Sequence, residues 1–216
     1  MSAPAPYASE LRPNAQAPAD CTARIDKSSC CIWFSGLPGA GKTSLARAIE
    51  KRIYRAGRRS YLFGGESFRL IQPSDFEATK AEHLKHVHRL AEAAHVVVEA
   101  GSTVLVTLFS PFSASRQIAR RLFEKERFVE VYVDTPLEIC ALSVPKGLCG
   151  TDPQYREQEL RKFWGMDSRY ELPLEPEIRV DMSLMSLEDC ADRVFEVLPA
   201  FTSAKQVQGC TEAGRK

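Results

Sequence analysis

"CCIWFSGLPGAGKTSLARAIE", Cys30 to Glu50, is the stretch on which the reading of this chain turns. It opens with "CCIWF", a short apolar run of the kind that forms a buried strand. "GLPGAGKT", Gly36 to Thr43, follows and matches G-x-x-x-x-G-K-[ST] in full. Helical periodicity then starts and runs through "KTSLARAIEKRIYRAG" to a stop at Gly57. Strand, glycine loop and helix, in that order, are the context of a phosphate-binding loop. Glycines let the backbone wrap an anion without Cβ clashes. The loop amides and the helix N-terminus then point at the phosphates. Gly36, Leu37, Pro38, Gly39, Ala40, Gly41, Lys42, Thr43 and Ser44 are expected to hold a nucleoside triphosphate. Lys42 is expected to neutralise the β and γ oxygens, and Thr43 to ligate Mg²⁺. The loop alone does not separate kinases from GTPases or ATPases.

Outward from this loop, strand and helix signals alternate. "SYLF" is a second strand, and a long helix is expected from about 79 to 100, closed by Gly101. "TVLVTLF" is a third strand, "SASRQIARRLFEKE" a helix and "FVEVYVD" a fourth strand. "TPLEICAL" reads as a short helix with Thr135 as its cap and Pro136 in its first turn. "EIRVDM" and "SLEDCADRVFEVL" read as a last strand and a last helix. The pattern predicts an α/β, three-layer P-loop fold with a mostly parallel, five-stranded sheet. Ligands should gather at the carboxyl ends of the strands. Residues 145–176 are polar and irregular, with a helical piece at about 154–163, and are expected to form a lid insertion. Residues 1–27 are expected to be a tail, 28–201 the domain and 202–216 a loose end.

Composition narrows the choice of function. The chain has 216 residues, 44% hydrophobic and 26% charged, with net charge +1, which suits one globular domain and gives no support for nucleic-acid binding. No apolar run approaches the roughly 18 residues of a membrane span. "MSAPAPYASELRPNAQAPAD" has no apolar core of the secretory type. Seven cysteines, an odd number without metal spacing, read as reduced thiols of a cytoplasmic protein.

No guanine-reading N-K-x-D and no switch-type D-x-x-G is present. The stretches "IWFSGLPGAGKTSLARAIE", "SYLFGGESFR", "VEAGSTVLVTLFSPFSASRQIAR", "FVEVYVDTPLEIC", "PKGL" and "FWGMDSRYELP" resemble the adenylylsulfate kinase family, in family order. The resemblance implies ATP and Mg²⁺ as cofactors. It implies phosphoryl transfer to the 3′-hydroxyl of adenosine 5′-phosphosulfate (APS), giving PAPS in sulfate assimilation. Lys42, Glu66 and Ser110 would be the catalytic residues, with Glu66 as the base. Arg69 matches an arginine on the phosphosulfate group, and Ser110, Pro111 and Phe112 match the S-P-F loop near the transferred phosphoryl group. Lys146, Gly147 and Leu148 match the substrate-side P-K-G-L, and Phe163 an aromatic that stacks on the substrate adenine. The partner implied is a small anionic alcohol, APS or a related one; a homodimer and a sulfate adenylyltransferase partner are raised as well.

The chain departs from the family at definite places. The family's D-G-D-x-x-R is here Gly64-Gly65-Glu66-Ser67-Phe68-Arg69, so the first acid is missing and the second is one methylene longer. By spacing, Ala78 falls where the family has a stacking phenylalanine, His83 where it has an arginine, and His86 where it has an asparagine. Ser143 replaces the arginine that packs on the ATP adenine. His83, His86 and His88 read as pocket-facing histidines rather than a metal site, and would make activity pH-sensitive near neutrality. Three readings follow: an APS kinase, a kinase of the same scaffold for another alcohol, or a nucleotide-binding partner protein without turnover.

Overall fold

The computed structural model describes residues 26, 28–64, 80–108, 110–143 and 170–198. Among the described residues five strands form one sheet: β1 (Cys31–Gly36), β2 (Ser60–Gly64), β3 (Thr103–Thr107), β4 (Phe128–Val133) and β5 (Ile178–Val180). The order across it is β2-β3-β1-β4-β5 and every pair is parallel, as the alternation of elements predicts. The helices are α1 (Lys42–Arg55), α2 (Lys80–Glu99), α3 (Ser113–Arg120), α4 (Leu137–Ser143) and α5 (Leu187–Val197).

Two apolar layers sandwich the sheet. Leu45, Ala46, Ile49 and Ile53 of α1 recur at helical spacing and pack with Ile32, Phe34, Leu105 and Val131 on one face, joined by Cys190 and Val194 of α5. Val87, Leu90, Ala91, Ala94 and Val98 of α2 cover Trp33, Val104 and Val106 on the other. Because strand side chains alternate, each strand feeds both layers. β1, β3 and β4 are buried along their full lengths, which is why their sequences read as near-continuous apolar runs.

Both glycine stops predicted from sequence close their helices in the same way. Gly57 donates to Tyr54 and Arg58 to Ile53, while Gly101 donates to Val98 and Ser102 to Val97. Each is a Schellman motif with glycine in the left-handed position.

Three boundaries differ from the sequence reading. The helix expected to continue to Glu126 ends at Arg120 and gives way to a 3₁₀ turn at Lys125–Arg127. Leu122 N and Phe123 N there donate to Ala119 and Arg120 in tight turns, and the Phe123 ring lies 5.6 Å from Phe128. Asp26, placed in the tail, accepts from Ser28 N and pairs with Arg58, so it belongs to the domain. Tyr170 and Glu171, placed in the lid, pack on the body of the protein; the rest of the expected lid to residue 169 lies outside the described residues, as do residues 1–25 and 199–216. Among the described residues no helix is long and apolar enough to cross a membrane.

Candidate active site at the carboxyl edge of the sheet

β1 runs into the glycine loop, and the loop is shaped by its neighbours. Gly36 has φ 137° and Gly39 φ 81°, values that L side chains rarely adopt. A Cβ on Gly36 would collide with the carbonyl oxygen of Val133, and one on Gly39 with that of Cys140. The two glycines therefore let β4 and α4 press against the loop from below. Thr135 completes this support. Its hydroxyl, expected to cap α4, instead donates to the Ala40 carbonyl at 3.0 Å. A helix cap would have spent the same hydroxyl locally; here it holds the loop.

Lys42 opens α1 and folds back over the loop. Its Nζ donates to the carbonyls of Gly36 at 2.9 Å and Leu37 at 2.7 Å. The residue is only 8% exposed and has no carboxylate partner among the described residues. Burial pushes its ammonium down to about 8. A buried cation with only carbonyl dipoles around it is poised to receive an anion. Thr43 and Ser44 lie exposed on the first turn of α1.

Mg²⁺ fits what the loop offers. The Thr43 hydroxyl, exposed on the first turn of α1, is a hard, neutral oxygen. Such a donor suits a cation that keeps several waters and takes its anionic ligands from phosphates.

The S-P-F loop sits on the other face of the sheet, after β3. Ser110, expected among the catalytic residues, is fully buried, and its Oγ accepts from Trp33 Nε1 at 3.2 Å. An indole N–H buried at this depth needs an acceptor. Ser110 supplies it, and the serine is thereby an anchor for the loop. Arg116 holds the same loop. It donates to the Ser110 carbonyl at 2.7 Å and the Glu171 carbonyl at 2.5 Å, and pairs with buried Glu130 at 3.1 Å. Glu171 in turn accepts from Ser113 N and donates its own N–H to Pro111. Glu130 also accepts from Ser35, the residue before Gly36. One polar network thus joins the start of the phosphate loop to the S-P-F loop.

Phe112 is half-buried, with His83 edge-on at 5.6 Å and the Lys80 ammonium 4.6 Å from its centroid. His83 therefore stands at the S-P-F loop. His88 is instead exposed beside Glu92. Among the described residues no group of three His, Cys, Asp or Glu could hold a metal. Ser143 hydrogen-bonds back to Ile139 within α4. Glu66, Arg69, Lys146, Gly147, Leu148 and Phe163 lie outside the described residues. Sequence reasoning missed Thr107, Arg116, Glu130 and Glu171, and the loop-supporting role of Thr135. The one available signal was Glu130, a carboxylate inside the otherwise apolar strand "FVEVYV".

A parallel sheet, a glycine-wrapped loop and a buried lysine at the head of α1 define a P-loop nucleotide-binding protein. The family model described as adenylylsulphate kinase matches residues 28–181. The chain belongs to the adenylylsulfate kinase family. It is 36% identical over 170 residues to a probable adenylyl-sulfate kinase of Bacillus subtilis, covering 79% of this chain and 84% of that one. It is 41% identical over 149 residues to the adenylyl-sulfate kinase of Aeromonas hydrophila, covering 69% and 74%. The APS kinase of Mycobacterium tuberculosis, solved in complex with AMPPNP and APS, superposes with a TM-score of 0.67 at 31% identity, covering 79% of this chain and 97% of that chain.

Proposed function

We propose that the protein transfers the γ-phosphoryl group of ATP to the 3′-hydroxyl of APS, giving PAPS and ADP. The carrying observation is Lys42: a buried ammonium, held by two loop carbonyls and without a described carboxylate, where a triphosphate would lie. The loop amides and Lys42 bind the β and γ oxygens and hold the γ-phosphorus for in-line attack. Mg²⁺, held through Thr43, supplies further charge neutralisation when bound. Glu66 takes the proton of the 3′-hydroxyl, the freed oxygen pair forms the new P–O bond, and the bond to the ADP oxygen breaks. Arg69 and Lys146 hold the acceptor's phosphosulfate, and Phe163 stacks on its adenine. Ser110 acts by holding the S-P-F loop in place, and Phe112 lines the acceptor side.

The relatives' names do not favour another alcohol acceptor or a module without turnover. We place the reaction in the cytoplasm and retain a homodimer. A sulfate adenylyltransferase partner is retained as well. The chain is also 40% identical over 161 residues to part of the bifunctional enzyme NodQ of Rhizobium sp., covering 24% of that longer protein, which carries a second activity beside the matched region.

The test is an acceptor panel with product identification. Mg-ATP with APS should yield PAPS and ADP in equal amounts. ADP that appears only with other alcohols would assign a different acceptor. Glu66→Ala should lower kcat far more than ATP affinity, and equal turnover in that variant would remove Glu66 as the base.

A further inference from the structure

Thr107 ends β3 with its hydroxyl inside the protein. The residue is 5% exposed, and its Oγ1 has no hydrogen-bond partner among the described residues. An unpaired buried hydroxyl opposes folding, so a partner in the ligand-bound state is the natural reason to keep it. Its surroundings identify that partner. Gly64, the last residue of β2, lies opposite Thr107 in the parallel ladder. A Cβ on Gly64 would stand 3.3 Å from Thr107 Oγ1. Strand alternation puts Thr107 on the same face as Leu105, which packs with Leu45 and Ala46 of α1. Two residues nearer the carboxyl edge, Thr107 lies toward the end of α1 that carries Lys42 and Thr43. Trp33, which anchors Ser110, packs in the opposite layer. Thr107 is therefore on the phosphate-loop side of the sheet, away from the S-P-F side.

We propose that Thr107 is a positioning residue for the cation that accompanies the nucleotide, its hydroxyl hydrogen-bonding a water of the Mg²⁺ hydration shell on the ledge that Gly64 leaves open. The proposal rests on the reading of the chain as an ATP-dependent kinase. Mg²⁺ sheds water reluctantly, so the groups around it mostly grip its waters. Such outer groups orient the inner shell. A carboxylate at position 64, as in the family pattern, would do this with a charge. Here β2 offers no side chain, and the neighbouring strand offers a neutral hydroxyl at the same spot. A side chain at 64 would bring its Cβ to 3.3 Å from Thr107 Oγ1, a tight contact, so the two solutions compete for the same space.

The test uses the full chain as wild type, Thr107→Val and Thr107→Ser. Calorimetry measures AMPPNP affinity with and without Mg²⁺, and thermal melts measure the ligand-free protein. Thr107→Val should cut the Mg²⁺-dependent gain in affinity by about tenfold. It should leave Mg²⁺-free affinity unchanged and raise the ligand-free Tm by about 2–4 °C, because the unpaired hydroxyl is gone. Thr107→Ser should behave as wild type. An undiminished Mg²⁺ gain in Thr107→Val overturns the proposal. So does a fall in Tm accompanied by equal losses with and without Mg²⁺, which would make Thr107 merely structural. Failure of the wild type to bind AMPPNP at all would instead sink the kinase reading.

Discussion

Arg116 Nε lies 3.1 Å from Glu130 Oε1, with both side chains nearly sealed from solvent at 3% and 6% exposure. Two buried charges are tolerable because each carries further polar partners. Glu130 also accepts from Ser35 Oγ at 3.0 Å and Arg120 at 3.3 Å. Arg116 spends its other N–H groups on the Ser110 and Glu171 carbonyls. Removing one partner strands the other, at a cost of about 3–5 kcal/mol. Arg116→Met should show that loss in denaturant unfolding. It should also lower kcat by roughly ten- to a hundredfold at unchanged KM for ATP, since the S-P-F loop loses its holder. The double variant Arg116→Met, Glu130→Met should recover stability but not kcat. Wild-type turnover in either variant would show that the network plays no part in placing the loop.

Lys42 makes the phosphate site a source of instability until ligand arrives. Its folded pKa of about 8 lies below the ~10.4 of an unfolded lysine. Between those values the unfolded chain binds more protons, so stability rises with pH across that window. Below pH 8 the full penalty applies, on the order of 3 kcal/mol. Lys42→Met should therefore be more stable than wild type at pH 7 without ligand, with the difference shrinking toward pH 10, while phosphoryl transfer is abolished. Thermal melts at the two pH values, with a turnover assay, check this. A Lys42→Met protein that melts below wild type at pH 7 would mean the lysine is not a strained group.

Local signals carried the fold because they report local physics. The glycine loop between strand and helix, the stops at Gly57 and Gly101 and the apolar strands each follow from residues close in the chain. The site was less legible where partners are distant. Thr135 beside Pro136 reads as a helix cap, yet its acceptor, Ala40, is 95 residues away. Ser110 reads as a catalytic hydroxyl, and only the fold brings Trp33 to it across 77 residues. Arg120, the last residue of α3, pairs with Glu130 of β4 and with Glu177 just ahead of β5, partners that the local sequence does not disclose.

The support beneath the loop gives a graded pair of variants. Thr135→Val removes the hydrogen bond to Ala40 while keeping side-chain shape, and should cost about 1 kcal/mol. The looser loop should raise KM for ATP severalfold and leave kcat nearly unchanged. Gly39→Ala places a methyl group against the Cys140 carbonyl in a left-handed backbone. That loop cannot keep its shape, and nucleotide binding should be lost in calorimetry although the domain still folds. Normal affinity in Gly39→Ala would contradict the close approach of α4 to the loop.

Trp33 and Ser110 decide what the S-P-F serine does. A hydroxyl that touches the transferred phosphoryl group would make Ser110→Ala catastrophic and Trp33→Phe nearly harmless. An anchoring hydroxyl predicts something else. Ser110→Ala leaves the Trp33 N–H buried and unpaired, which costs about 1–3 kcal/mol. Trp33→Phe removes the same bond from the other side, together with ring volume from the layer beneath α2, so its stability loss should be the larger. Both should lower kcat to a similar, moderate extent. The double variant should be no slower than the worse single one, because both substitutions break one bond. A double-mutant cycle on kcat and unfolding free energy separates the two roles, and additive kcat losses would return Ser110 to the reacting groups.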